Sequence, residues 1–275
     1  MGTATEPRWI GVDGSRMPVI DLGARDGRPL VLVPGLTDGL APVTAPAARA
    51  LFSQVPLPLD RYRALVVSHA VPARPGSTTS QLATQLRTAL ARLLTRPAVL
   101  VAHSLGGMVA QHLAAIAPQQ VAGLVLSATT DRSDAQLRAV LARWDRWLVT
   151  GAHDRFRVDA IRTSVTGAAR DAHLALHAAA PQPAPTPAAV ARHLALSAAC
   201  AGHDATAQLG RIVAPALVLA GGRDEVVATD ASARLAAGLD SGELEVFDDL
   251  GHGFPEQARG PFQARVSRFL TELGW

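Results

Sequence analysis

The sequence contains no lysine. All of its 26 basic residues are arginine, set against 23 acidic ones, so the formal net charge is only +3. The isoelectric point of about 10.2 therefore reflects the high pKa of guanidinium, not a large excess of positive charge. The arginines are scattered and form no basic block, so the electrostatic footprint of a nucleic-acid partner is missing. Cysteine is nearly absent. The single residue, Cys200, excludes an intramolecular disulfide. It lies among alanines in an expected helix and lacks the activated setting that a thiolate nucleophile needs. No apolar run reaches the ~20 residues of a membrane span. Met1 to Arg8 is polar and has no signal-peptide core. A cytoplasmic protein is expected, with neither a membrane nor a nucleic acid as partner.

What is present is a large apolar fraction, 48% of 275 residues, enough for a sizeable core. Trp9 to Val12 and Met17 to Ile20 flank Asp13-Gly14, a turn pair, and read as an antiparallel hairpin. Short apolar runs then recur: 29–34, 63–68, 98–102, 121–127 and 216–220. Such runs read as buried strands. Glu243 to Phe247 reads as the last strand. Helical spacing lies between them, as in Leu82, Leu86, Leu90 and Leu93, with Thr78, Thr79 and Ser80 as N-cap candidates. Strands alternating with helices predict a mostly parallel α/β sheet, with ligands at the C-terminal strand ends. His69 lies at one such end and reads as an ordinary loop histidine.

Between 131 and 211 the strand runs vanish. Helices are expected over roughly Ser133 to Val149, Arg155 to Ala180 and Ala188 to Ala201, the last two separated by the stiff connector Pro181 to Pro187. His173 and His177 share a helix face, but the glutamate of H-E-x-x-H is missing and no third ligand is apparent. Neither a metal nor a cofactor is expected.

The stretch that organises the chain is Ala98 to Met108. The apolar run stops at His103-Ser104-Leu105 and resumes in helical spacing through Met108, Val109, Leu113 and Ile116. Ser104 sits at the joint, with Ala102 and Gly106 two residues either side. A sharp strand-to-helix turn needs small residues at those places. Val101 to Gly107 thus resembles the nucleophile elbow of the α/β-hydrolase superfamily, with Ala in place of the first Gly.

The resemblance extends over nearly the whole chain and implies the rest of the site. The α/β-hydrolase fold would comprise residues 1–130 and 212–275, with 131–211 inserted after the strand ending near Ser127 as an all-helical cap, or lid. Ser104 would be the nucleophile. The triad acid follows a strand in a Gly-x-x-Asp loop, which Gly221 and Asp224 match; Glu225 and Asp131 are competing positions. The general base follows the last strand, where His252 stands between glycines. The oxyanion hole would use the backbone amides of Leu36 and Leu105, although Pro34-Gly35 stands where His-Gly is usual. Trp144 and Trp147 of the cap are candidates either for the substrate pocket or for packing.

The function so implied is cleavage of a carboxylic ester or related acyl group, on an apolar small-molecule substrate, through an acyl-enzyme. Two alternatives share the same residues. One is non-hydrolytic chemistry of a peroxidase-like, lyase or acyltransferase kind. The other is ligand binding with little turnover.

Overall fold

The structure is a computed structural model and describes residues 6–52, 61–180 and 182–275. The first five residues of the polar N-terminus and Pro181 of the expected connector lie outside the described residues.

The chain opens with a hairpin, β1 (Arg8–Val12) and β2 (Ser15–Gly23), paired antiparallel. Asp13 and Gly14 both take positive φ, 44° and 70°, the geometry that a two-residue turn between twisted strands needs. There follow β3 (Arg28–Val33), α1 (Ala45–Phe52), β4 (Tyr62–Val67), α2 (Thr79–Leu93), β5 (Ala98–His103), α3 (Leu105–Ile116) and β6 (Val121–Ser127). Four helices come next: α4 (Ala135–Val149), α5 (His153–Ser164), α6 (Gly167–Ala179) and α7 (Pro187–Ala201). The chain closes with β7 (Ala216–Gly221), α8 (Thr229–Ala237), β8 (Gly242–Phe247), the single turn α9 (Phe254–Gln257) and α10 (Arg259–Glu272).

The eight strands form one sheet in the order β1-β2-β4-β3-β5-β6-β7-β8. From β4 through β8 every pairing is parallel, whereas β2 meets β4 antiparallel. The central strands are apolar on both faces because both faces are covered. One face packs Leu82, Leu86 and Leu90 of α2, Met108 and Leu113 of α3 and Leu235 of α8. The other packs Ala48 of α1 and Phe262, Val266 and Phe269 of α10.

Strand order positions the site. β3 lies between β4 and β5, so the chain leaving β3 turns to one face as α1, while the chain leaving the adjacent β5 turns to the other as α3. The two connections diverge and leave a crevice at the C-terminal strand ends.

The insertion between β6 and β7 is helical, but its middle differs from the expectation of one helix over 155–180. That stretch is two helices, α5 and α6. Val165 and Thr166 are extended and Gly167 takes φ of 58°. β-branched residues followed by a left-handed glycine outweigh the alanine-rich flanks. The two ends of the insertion are stapled together: Ser133 N donates to His203 O at 2.8 Å and Ala205 N to Asp131 O at 2.8 Å. Among the described residues no helix is long and apolar enough to cross a membrane.

Candidate active site

Ser104 follows the last residue of β5 and is the N-cap of α3. Its backbone is at φ 53° and ψ −119°, a region that a residue with a Cβ occupies only when its surroundings impose it. Here they do. Ser104 N donates to Ser127 O at 2.9 Å, and Ser104 O accepts from Thr129 Oγ1 at 2.8 Å. The turn is also pressed from below. A Cβ on Gly106 would lie 2.2 Å from the carbonyl oxygen of Val33, so only glycine lets the end of β3 approach. The residue two before the serine, Ala102, is fully buried.

The loops after β7 and β8 bring a carboxylate to an imidazole. Asp224 Oδ2 accepts from His252 Nδ1 at 2.8 Å. The other oxygen, Oδ1, accepts from Val226 N and Val227 N, both at 2.8 Å. The carboxylate is thus fixed by its own loop and has one oxygen left for the ring. A ring that donates from Nδ1 presents Nε2 as its basic nitrogen. The His252 loop is anchored across the molecule by Gly253 N, which donates to Ser164 O at 2.7 Å. Among the described residues neither Ser104 Oγ nor His252 Nε2 makes a hydrogen bond. Such contacts are commonly longer without substrate than during reaction.

The competing acids do not reach this imidazole. Glu225 is exposed to solvent. Asp131 is buried and faces Arg234 at 3.3 Å and Arg132 at 3.7 Å.

The two residues expected to supply oxyanion amides each open a helical turn after a strand. Leu105 is the first residue of α3, and Leu36 is the first residue of the 3-10 turn Leu36–Gly39 after β3. Amides of a first helical turn have no partner within the helix and remain available to an anion. Gly35 carries the turn close over the serine: a Cβ there would lie 3.1 Å from Ser104 Cβ.

His103 adds a group that sequence reasoning did not single out. Its ring lies 4.9 Å from that of His252, centroid to centroid, and its Nδ1 is 3.1 Å from Ser127 Oγ. Burial, and then the neighbouring His252, push its pKa down to about 3. It is a neutral wall and not a second base. A cavity of about 460 Å³ opens beside it, bounded by Gly35, His103, Ser127 and Gly253 together with apolar Val101 and Phe262.

Several sequence candidates sit elsewhere. Trp144 and Trp147 do not line that cavity. Trp144 is buried, donates from Nε1 to Asp159 Oδ2 at 2.9 Å and packs edge-on against Phe156. Trp147 is half-buried against the same cluster. Both tryptophans thus pack against neighbouring side chains, as those of an amphipathic helix commonly do. His177 meets Asp154 at 2.7 Å, and no group of three or more metal-ligating side chains occurs among the described residues. Cys200 is buried, which pushes its thiol pKa upward. His69, read from sequence as a loop histidine, is buried against the loop after β3.

Comparison with known proteins bears on the family and the fold. A family model described as serine aminopeptidase, S33, matches residues 76–256, more than half of the chain. An α/β hydrolase enzyme from a Medee basin deep-sea metagenome library superposes with a TM-score of 0.80, at 16% identity, covering 98% of each chain. An esterase from Exiguobacterium antarcticum gives 0.78 at 17% identity, covering 96% of this chain and 99% of its own. A bromoperoxidase from Bacillus anthracis gives 0.72 at 16% identity, covering 94% and 96%. At these identities the likeness is one of fold.

Proposed function

Because the chain belongs to the serine aminopeptidase S33 family, within the α/β-hydrolase superfamily, we propose that it is a serine hydrolase that cleaves a carboxylic ester or related acyl substrate. The observation that carries the reading is the Asp224–His252 contact at 2.8 Å, with the His252 ring against that of His103, the residue that precedes a serine held at positive φ. A serine hydroxyl is a weak nucleophile near neutral pH and needs a base, and the base needs an acid to fix its tautomer.

In this reading His252 Nε2 takes the Ser104 proton as Oγ attacks the carbonyl carbon. The carbonyl oxygen becomes an oxyanion and is held by the amides of Leu36 and Leu105. Collapse of the intermediate breaks the bond to the leaving group, which receives the proton from His252. Water then attacks the acyl-enzyme with His252 again as base. The helical insertion acts as a cap over the crevice.

The test is turnover of a panel of p-nitrophenyl esters and aminoacyl p-nitroanilides by the native protein and by Ser104→Ala. Release of p-nitrophenol with an initial burst, lost in the variant, is the expected result. Preference for the anilides would move the substrate class toward aminopeptidase chemistry, and inactivity of the folded native protein on every member would count against the proposal.

Pro34 in the oxyanion loop favours a second reading, in which the same triad transfers the acyl group to an acceptor other than water. The fold shared with a bromoperoxidase is compatible with it. Product analysis with and without hydrogen peroxide or a competing alcohol separates the two.

A further inference from the structure

The loop that carries the Leu36 amide is a single 3-10 turn, Leu36–Gly39, entered through a long bond from Asp38 N to Gly35 O at 3.3 Å. Its fixed points come from two other parts of the chain. At the start of the loop, His69 Nε2 donates to Pro34 O at 3.1 Å. Burial lowers the pKa of His69, so the ring is neutral, and the tautomer that satisfies a carbonyl carries its proton on Nε2. At the end of the loop, Asp38 Oδ2 accepts from His69 N at 2.9 Å and from Arg192 Nη2 at 2.6 Å. Arg192 Nη2 also reaches His69 O at 2.6 Å, and its Nη1 donates to the Asp38 carbonyl. The guanidinium therefore joins the loop after β3 to the chain leaving β4.

Neither charge is open to water. Arg192 is 6% exposed and the Asp38 side chain is fully buried. Asp38 Oδ1 has no partner among the described residues, which leaves Arg192 as the ion facing this carboxylate. A buried pair of this kind adds little stability by itself but fixes geometry strongly, because neither member tolerates loss of the other. Arg192 lies on α7, the last helix of the insertion. That helix rests on the same turn: a Cβ on Gly39 would lie 3.0 Å from His193 Cα.

We infer that Arg192, with His69, is a positioning residue that clamps the Pro34–Gly39 loop and so aims the Leu36 amide at the space over Ser104. The inference rests on the proposed serine chemistry. It also ties the insertion to catalysis. Oxyanion donors work only within a few tenths of an ångström of their optimum, so a loop that relaxes should lose rate more than binding.

The experiment compares native protein, Arg192→Met and Arg192→Lys, with Arg63→Met as a control. Arg63 forms a partly buried ion pair with Asp21 at 2.7 Å, between β4 and β2 and away from the crevice. The expected result for Arg192→Met is a kcat about 10- to 100-fold lower on p-nitrophenyl butyrate, part of the ~10²–10³ that one lost oxyanion donor costs. KM should change much less, and fluorophosphonate labelling, which reports attack by Ser104, should slow as well. Arg63→Met should lose stability and keep its kcat. If Arg192→Met does not fold, Arg192→Lys carries the test, since it keeps the charge and loses the fork of donors. Native kcat and labelling rate in a folded Arg192 variant would overturn the clamp alone. A native protein that neither labels nor turns over would overturn the serine reading, and the clamp with it.

Discussion

Asp224 can orient His252 because its other oxygen is already held by Val226 N and Val227 N. The carboxylate is therefore set before any substrate arrives, and the tautomer of the imidazole follows from it. Asp224→Asn should leave the fold intact and lower kcat by ~10⁴-fold, because an amide can hold the ring in the wrong tautomer. Glu225→Gln, next along the chain and exposed, should keep native kcat. Steady-state kinetics beside thermal unfolding of both variants checks this. Equal losses in the two would point to disruption of the loop in place of a specific acid. His103 illustrates the same rule at a neighbouring position: enclosure and the adjacent ring keep it uncharged, so it shapes the cavity without competing for the proton.

At the level of elements, the elbow between β5 and α3 depends on close approach to β3. Gly106→Ala places a methyl group 2.2 Å from a backbone oxygen, which no rotamer change relieves. The expected cost is at least ~2 kcal/mol, from overpacking against main chain. Gly260→Ala, in α10, meets nothing within 4 Å and needs no positive φ, so it should be neutral or stabilising by up to ~1 kcal/mol. Urea midpoints of the two variants test the contrast. These elements also mark what could be read in advance. The buried strands were legible because a parallel sheet covered on both faces forces uninterrupted apolar runs; Ser104 and Asp224 were legible because each follows such a run, and His252 because it stands between glycines after the last strand. The break at Val165 to Gly167 was not, because its extended residues lie between alanine-rich stretches with helical spacing. The pairing of Arg192 with Asp38 spans 154 residues, a separation that no local pattern reports. A trace of it exists in hindsight: an arginine on a face shared with Leu196 and Ala199 of α7 is oddly placed unless something buried pairs with it.

Across the whole molecule, several histidines are enclosed in neutral form. Burial lowers His69, takes His193 down to about 4, and takes His103 and His203 down to about 3. Each is more basic in the unfolded chain, near 6.5. As pH falls below that value the unfolded state binds protons that the folded state refuses, so stability falls with pH. The loss continues until the folded values are reached. Each histidine contributes up to ~1.4 kcal/mol per pH unit within its window. The urea midpoint should therefore be nearly flat between about pH 7 and 8 and decline steadily from about pH 6.5 to 5. His203→Gln should make that decline shallower. A midpoint independent of pH across this range would mean that the histidines are protonated alike in both states.

The central claim is that the strained residue at the end of β5 is an activated serine. The most direct measurement is reaction of the native protein and of Ser104→Ala with a fluorophosphonate probe, with the adduct mapped by mass spectrometry. Stoichiometric modification of the native protein on the peptide carrying Ser104 is the expected result, with none in the variant at equal folded concentration. An unmodified, folded native protein, or an adduct that persists in Ser104→Ala, would contradict it.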